Sequence, residues 1–412
     1  MAKSVQQRKH QEQGSSKTIK VAIGCQGGGM HAGFEVGVLD EVLRKIDEQK
    51  SWKDTDDQKR IELVGLSGTS AGALCALMTW YGLAPKRARA GSPREAMHGL
   101  NNFWEKFVAN TAAENVLNVL TYRSLWAEEQ EIPVLGTYAG FPGINPYGLI
   151  YNMVAASLPH LGVRRRYIDL NYLLDQACPD FKDIDWDEVQ TRLLIGASEA
   201  VNGFETVFDS NVNKAPQSGN KGMQQGNKVG FWRQRLPLAL SGIAASGTLP
   251  TLRKAEHIKN EGYYWDGLYS HNPPVREFFS KVAKEERPNE LWIVRINPQQ
   301  WPETPTSHKD IQDRENELMG NLSLNKELDF ILSVNEWSAK YKDFGKDHKN
   351  VIVRTIKMKQ GTADNLQFSS KFDRSRAFME RLRDEGRKVG REWLDLWEKG
   401  KAGEYPEDAA YP

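Results

Sequence analysis

A pentapeptide of small residues, Gly68-Thr69-Ser70-Ala71-Gly72, follows the apolar run 63–66 and precedes an alanine-rich segment with helical character. A strand that turns directly into a helix leaves little room, so the residues flanking the turn must be small, which explains Gly68 and Gly72. Such a turn holds Ser70 at a helix N-terminus, where unpaired N–H groups and the helix macrodipole favour negative charge. Gly-x-Ser-x-Gly also occurs by chance in ordinary small-residue turns. The strand–turn–helix context favours a nucleophile elbow with Ser70 as the catalytic nucleophile.

A second glycine-rich turn, Gly27-Gly28-Gly29, follows the predicted strand 19–25 and also precedes a helical pattern. Gly27-x-Gly29-x-x-Ala32 satisfies a loose dinucleotide fingerprint, but Gly65-Leu66 occupy the strand end where such a site needs an acidic residue. A phosphate-binding P-loop is excluded because no Gly-Lys-Ser/Thr follows. Consecutive glycines can also direct backbone N–H groups at a developing alkoxide. We favour the oxyanion-hole interpretation because the Ser70 elbow follows one strand later, and neighbouring strand ends would bring both loops to one edge of the sheet.

A nucleophilic serine needs a base, and the candidates are histidines near the motifs and the carboxylate of Asp266. Of eight histidines, His31 and His271 are the ones close to motif residues, but neither fits the Ser…Asp…His order of α/β-hydrolases. Asp266 follows the aromatic pair Tyr264-Trp265 and enters a tight turn with Gly267. A carboxylate beside a serine hydroxyl can take its proton, most effectively where partial burial raises the carboxyl pKa. Since Asp-Gly is also a common turn dipeptide, a purely structural Asp266 is the alternative.

The amino-acid composition limits the kinds of partner and the cellular compartment that we expect for this protein. The 412 residues include 55 Lys and Arg against 54 Asp and Glu, and the net charge of +1 gives no reason to expect nucleic acid as the main partner. Three scattered cysteines without CxxC spacing suit a reducing compartment, and neither a disulfide framework nor a cysteine-rich zinc site. No signal peptide and no apolar run of about 18 residues is visible. We therefore predict a cytoplasmic protein whose membrane contact, where it has any, is peripheral.

Together these residues resemble the patatin-like phospholipase family. The similarity covers roughly residues 19–300 and rests on motifs in the family's order: GGGMHAGF at 27–34 with Gly-Val-Leu at 37–39, GTSAG at 68–72, AASGTLP at 244–250 and Asp266-Gly267. The resemblance implies a three-layer α/β/α fold with a mainly parallel sheet. It also implies hydrolysis of lipid acyl esters without a metal or organic cofactor. Its site residues would be a Ser–Asp dyad and an oxyanion hole, with Ser70 as nucleophile, Asp266 as general base, and Gly27, Gly28 and Gly29 around the oxyanion.

The chain departs from the family's pattern beside the glycine loop. Gln26 stands where the family usually has Asp or Gly, Leu268 stands for Gly or Ala, and His31-Ala32 replace Arg or Lys followed by Gly. A titratable imidazole therefore replaces a fixed positive charge, and His31 is a candidate accessory residue, a hydrogen-bonded structural histidine being the alternative. The predicted substrate is a lipid or other ester. Alternatives are hydrolysis or acyl transfer on non-phospholipid esters, thioesters or polyesters, and a catalytically silent lipid-binding protein; no feature indicates an oligomeric state.

Alternating strand and helix patterns predict the domain organisation. We expect a disordered tail at 1–18, a catalytic domain at 19–360 with a mobile polar loop at 209–230, and a C-terminal helical extension at 361–412. The aromatic segment 119–147, rich in Gly and Pro, is typical of an irregular cover over a site. The last helix is expected to dock on the domain, the alternative being a membrane-facing helix anchored by Trp393 and Trp397.

Overall fold

The computed structural model describes residues 18–52, 58–87, 89–129, 169–214, 227–228, 232–250, 254–280, 282–301 and 303–407. Within these ranges strands β1 to β10 span Thr18–Cys25, Arg60–Thr69, Arg192–Glu199, Glu205–Asp209, Asn227–Lys228, Arg233–Pro237, Glu256–Ile258, Gly262–Asp266, Glu290–Arg295 and Ile352–Lys357. Helices α1 to α10 span Gly33–Glu48, Ala71–Leu83, Pro93–Phe107, Ala112–Glu129, Leu170–Ala177, Leu240–Ser246, His308–Lys340, Lys342–Asp347, Gln360–Ala363 and Arg376–Glu398.

The strands form one mainly parallel sheet in the order β10-β9-β1-β2-β3-β4-β6-β5. Every pairing from β10 to β3 is parallel, whereas β4 runs antiparallel to β3. Strand β8 adds to β3 in the antiparallel sense and carries β7 on its outer side. The parallel pairs need crossover helices, which the sequence supplies after β1, β2 and β9. The predicted α/β class is confirmed.

Helices cover both faces of the sheet. Val21 and Ile23 belong to a core cluster that includes residues of α1, α2, α3 and α10. Ala22, which lies between them, belongs to a second cluster with Leu324 and Leu328 of α7. Successive side chains of a strand point to opposite faces, so β1 is buried on both. The predicted three-layer α/β/α arrangement is confirmed.

The C-terminal helix α10 packs along α1 and does not present its tryptophans to solvent. Trp397 is buried and its ring lies 5.2 Å from that of Trp292, centroid to centroid, while Trp393 lies 4.7 Å from the same ring. The indole N–H of Trp397 donates to Glu290 Oε2 at 2.8 Å. The alternative of a membrane-facing helix anchored by these two tryptophans is therefore wrong, because both pack on β9. The division of the chain at residue 360 stays a prediction.

The predicted irregular cover at 119–147 begins too early. Helix α4 continues to Glu129, because Gly and Pro first appear in this segment at Pro133. The remainder of that cover, residues 1–17 of the predicted tail 1–18 and most of the polar loop 209–230 lie outside the described residues; the tail prediction is one residue too long, because Thr18 begins β1. Of the polar loop, Asp209 ends β4 and Ser210–Asn213 form a short 3₁₀ turn. Among the helices described, none is long and apolar enough to cross a membrane.

Candidate active site

Ser70 occupies a strained turn between β2 and α2. Its φ of 55° and ψ of −126° lie outside the regions that non-glycine residues favour. A Cβ on Gly68 would overlap the Gly72 carbonyl, and a Cβ on Gly72 would overlap the carbonyl of Cys25 at the end of β1. Both glycines are thus required by close backbone approach. The turn sets Ser70 at the N-terminus of α2, where the helix dipole favours negative charge.

The register on β3 brings Asp266 to the end of β2. Thr69 pairs with Gly196, and Asp266 pairs with the next residue of β3, Ala197. Strand β4 occupies one edge of β3 along 194–198. Strand β8 must therefore pair with the opposite edge of β3, beyond the point where β2 ends. Asp266 at the end of β8 therefore lies just beyond Thr69, beside Ser70.

The carboxyl of Asp266 is fully buried. Its Oδ1 accepts the Leu268 N–H at 2.9 Å. Burial raises the pKa of Asp266 to about 7, while interactions with the Ser70 hydroxyl and the Leu268 amide lower it. The Ser70 hydroxyl interacts with this carboxyl without closing an aligned hydrogen bond, and Oδ2 has no aligned donor in the described part of the chain. At neutral pH the group is therefore divided between acid and base forms.

Ser246, which the sequence did not single out as a site residue, holds the elbow in place. Its Oγ accepts the Ser70 N–H at 3.0 Å and donates to the Gly196 carbonyl at 2.6 Å. The Ser70 amide is thereby tied to β3 through one hydroxyl at the end of α6. The sequence signal was present, since Ser246 lies within the AASGTLP segment.

The glycine loop lies directly against the elbow. A Cβ built on Gly27 would lie 2.9 Å from Ser70 Cβ and 2.8 Å from the Thr69 carbonyl oxygen. The Gly27 N–H donates to Asn272 Oδ1 at 2.5 Å, so this amide already has an acceptor. Asn272 follows Asp266 by six residues and thus joins the Asp-Gly turn to the glycine loop. Asn272 is a second site residue that was not predicted from the sequence, although it lies close to Asp266 along the chain.

The next two glycines differ from Gly27 in having free amides. Neither the Gly28 nor the Gly29 N–H has an acceptor among the residues the structure covers. Gly29 has a φ of +56°, and a Cβ there would overlap the Lys371 carbonyl. Only glycine combines that backbone conformation with so close an approach. The loop therefore presents two consecutive unpaired backbone donors.

Gln26, where the family usually has Asp or Gly, anchors the loop to its surroundings. Its Oε1 accepts the N–H groups of Ile296 and Asn297 at 3.1 and 3.0 Å. Its Nε2 donates to Asn321 Oδ1 at 2.8 Å and to the Gly320 carbonyl at 3.2 Å. A buried amide needs partners for both of its ends, and here both are satisfied. The substitution thus connects the loop to the end of β9 and to α7.

His31 is hydrogen-bonded to a residue of the C-terminal segment. Its Nε2 pairs with Ser370 Oγ at 2.7 Å, and neither Ser70 nor Asp266 is its partner. Burial, with added repulsion from Lys371 and Arg381, holds the pKa of His31 well below its ordinary value. The imidazole is therefore uncharged at neutral pH. The cation beside the glycine loop is instead Lys371, which no sequence signal indicated because it lies 340 residues from His31 along the chain.

His271 is also unsuited to act as the base. Its Nε2 pairs with the Thr206 carbonyl at 3.1 Å. Burial and the nearby Arg233 lower the pKa of His271 to about 4. Among the described residues no group of three or more His, Cys, Asp or Glu is placed to hold a metal ion. The described residues bring together a serine hydroxyl, a buried carboxyl and a glycine loop at this site.

Comparison with known protein families gives a match over this part of the chain. The family model described as patatin-like phospholipase matches residues 25–279, which include the glycine loop, the Ser70 elbow and Asp266. No curated protein matches the chain significantly.

Proposed function

The chain belongs to the patatin-like phospholipase family, and from this premise we propose that it is a serine acyl hydrolase that cleaves carboxylic esters of lipids with a Ser70–Asp266 dyad. The observation that carries the proposal is the juxtaposition of Ser70 with a buried carboxyl whose pKa is about 7. A carboxylate of that basicity is a far better proton acceptor at neutral pH than one of ordinary pKa near 3.8.

In the acylation step Ser70 Oγ attacks the ester carbonyl while Asp266 takes the hydroxyl proton. Leu268 holds Oδ1, so Oδ2 is the oxygen available to accept it. The negative charge on the former carbonyl oxygen is received by the free amides of Gly28 and Gly29. Gly27 has no side chain, so the loop can approach Ser70 closely. Such donors stabilise the tetrahedral intermediate because the charge develops where they already point.

Collapse of this intermediate breaks the ester C–O bond, and protonated Asp266 returns its proton to the leaving alcohol. A water molecule then attacks the acyl-serine while Asp266 accepts a proton from it. The second tetrahedral intermediate uses the same two amides. Its collapse breaks the bond between the acyl carbon and Ser70 Oγ, Asp266 returns its proton to that oxygen, and the fatty acid leaves. The cycle thus needs one base, two amide donors and water.

Substitution of the dyad tests the proposal. Ser70→Ala and Asp266→Asn should each lower kcat by at least about 10³-fold toward a medium-chain p-nitrophenyl ester and toward a phospholipid with a labelled acyl chain, since each removes a reacting group. Matched controls are Ser51→Ala and Asp343→Asn, because both side chains are exposed and distant in the fold. Full activity in either dyad variant would contradict the mechanism.

A fluorophosphonate probe separates an enzyme from a silent lipid-binding protein. The probe phosphonylates an activated serine, so the wild-type chain should be labelled and Ser70→Ala should not. Intact-mass measurement of the labelled protein checks that one adduct forms per chain. A wild-type chain that remains unlabelled and binds phospholipid vesicles would favour the silent protein.

A further inference from the structure

A chain of hydrogen bonds leads from Lys371 to the glycine loop. Lys371 Nζ donates to Asn297 Oδ1 at 2.9 Å, and it also donates to Asn316 Oδ1. Asn297 Nδ2 in turn donates to the Gly27 carbonyl at 3.0 Å. Asn297 is buried, so its amide orientation is set by these two partners. An ammonium group is thereby connected through one amide to the peptide that joins Gly27 and Gly28.

The bond from Asn297 helps to fix the orientation of the Gly27–Gly28 peptide. Asn297 follows β9, which lies on one side of β1, whereas Ser70 follows β2 on the other. The Gly27 carbonyl accepts from Asn297 Nδ2 at 3.0 Å, on the β9 side, and accepts a longer bond from Asn272 Nδ2 at 3.4 Å. In a trans peptide the C=O and N–H groups point in opposite directions. The N–H of Gly28 therefore points away from Asn297, and Gly27 at the start of the same peptide lies directly against Ser70.

We propose that Asn297 and Lys371 are positioning residues of the oxyanion hole, which fix and polarise the Gly27–Gly28 peptide so that the Gly28 N–H faces the reacting carbonyl as a stronger donor. This inference rests on the proposed ester hydrolysis and adds residues that touch no substrate. Hydrogen bonds that share a peptide group strengthen one another in a low dielectric, and an ammonium at the start of the chain adds a charge-assisted bond.

The charges around Lys371 determine how this effect depends on pH. Asp313 and Glu317 of α7 face the ammonium and favour its charged form, but burial lowers the pKa of Lys371 to about 8. Arg314 pairs with Glu317 at 3.1 Å, and His31 on the glycine loop is uncharged. Protonated Lys371 polarises the relay, so the contribution is complete well below pH 8 and about half present at pH 8. It is lost as the pH rises through the pKa of the lysine.

Three variants test the relay with the ester substrate named above. Lys371→Met and Asn297→Asp should each lower kcat about tenfold with KM within about twofold, since loss of a direct oxyanion donor costs 10²–10³-fold and this action is indirect. Wild-type kcat should fall above about pH 8, and Lys371→Met should show no such fall. Lys371→Arg keeps a cation that does not titrate in this range, so it should retain neutral activity and extend it to higher pH.

Lys86→Met is the matched control, because Lys86 is a buried lysine whose Nζ, like that of Lys371, donates to two oxygens, here the carbonyls of Tyr81 and Ala84. This variant removes a comparable buried ammonium that contacts no residue of the relay. Its kcat per folded molecule and its alkaline pH profile should match those of the wild type. Thermal denaturation and circular dichroism of every variant establish that the molecules compared are folded.

The outcomes separate this inference from the proposed function. If Ser70→Ala retains activity, the hydrolase mechanism fails and the relay fails with it. If Ser70→Ala is inactive while Lys371→Met and Asn297→Asp keep the wild-type kcat and alkaline profile, only the relay is overturned. Should Lys371→Met not fold, Asn297→Asp and the alkaline profile of Lys371→Arg decide the question. A Lys371→Arg profile identical to that of the wild type would contradict the role of lysine titration.

Discussion

At the scale of single residues, Asp266 combines a catalytic advantage with a cost in stability. Its carboxyl is buried with a pKa of about 7, against an ordinary value near 3.8. The folded state therefore binds this proton more tightly than the unfolded chain does. Stability linked to this group is present at low pH and is lost as the pH rises from about 4 to about 7. At neutral pH the protein holds a partly charged group where solvent cannot reach it.

Asp266→Asn should therefore stabilise the folded protein at the pH where it abolishes activity. Asparagine stays neutral and can keep the bond from the Leu268 amide, so the variant avoids burying a charge. We expect its gain in the free energy of unfolding to be larger at pH 8 than at pH 5 by roughly 2 kcal/mol, from about 1.4 kcal/mol per pKa unit. Urea denaturation at the two pH values measures this difference.

Asp343→Asn serves as the stability control, since Asp343 is exposed and should change unfolding by less than about 0.5 kcal/mol at either pH. A gain for Asp266→Asn that is equal at pH 5 and pH 8 would indicate that burial of the charge is not its cause.

Residues whose chemistry is carried by local sequence were predictable, and residues that act through distant contacts were not. The small residues around Ser70 indicate a strained turn, and the structure has that turn. The occupied amide of Gly27 depends on Asn272, 245 residues away. No local pattern encodes a hydrogen bond across that separation. Lys371 is hidden for the same reason, because a single lysine in a polar segment has no distinguishing periodicity.

At the scale of elements, apolar runs located strands but could not order them. The predicted strand 19–25 ends where β1 ends, at Cys25, because the glycine turn at 27–29 follows that run. Sheet order depends on which faces pack together, and β8 shows the difficulty. Its antiparallel pairing with β3 places Asp266 beside Ser70, whereas the sequence indicated only that an acid follows a strand.

The contact between α1 and α10 depends on two glycines. A Cβ on Gly386 would overlap the Phe34 carbonyl and lie 3.1 Å from Gly37 Cα. A Cβ on Gly37 would overlap the Arg383 carbonyl in turn. The helices thus approach backbone to backbone at this point. The stripe of apolar residues in α10 predicted a docked helix, but the close approach is visible only in the structure.

Gly386→Ala should destabilise the protein, whereas Gly99→Ala in α3 should stabilise it. Both glycines lie within helices, so alanine gains about 1 kcal/mol of helix propensity at each. At Gly99 the nearest heavy atom to an added Cβ is the Met78 carbonyl oxygen at 4.0 Å. At Gly386 the methyl must push α10 away from α1, a cost of about 1–3 kcal/mol or more. Urea denaturation of the two variants should separate them by about 2 kcal/mol, and equal effects would contradict the packing argument.

At the scale of the whole molecule, residues after β10 contribute to both the core and the candidate site. Lys371 supplies the carbonyl against Gly29 and the ammonium of the proposed relay. Trp397 shares the buried carboxylate of Glu290 with the indole of Trp292 and the guanidinium of Arg354. A carboxylate buried with three donors becomes costly when one is removed. The segment 361–412 therefore stabilises the parallel half of the sheet as well as the glycine loop.

Deletion of residues 361–412, the predicted C-terminal helical extension, should abolish cooperative folding. The deletion exposes Trp292 and the face of α1 that α10 covers, and loss of one buried tryptophan side chain alone costs about 3–5 kcal/mol. The total free energy of unfolding of a globular domain is only about 5–15 kcal/mol. Thermal denaturation followed by circular dichroism should show no transition for the truncated chain, while a control that lacks only residues 408–412 should melt like the wild type. A truncated protein that melts cooperatively and keeps wild-type esterase activity would instead establish residues 19–360 as a complete catalytic domain, and would also remove Lys371 from the mechanism.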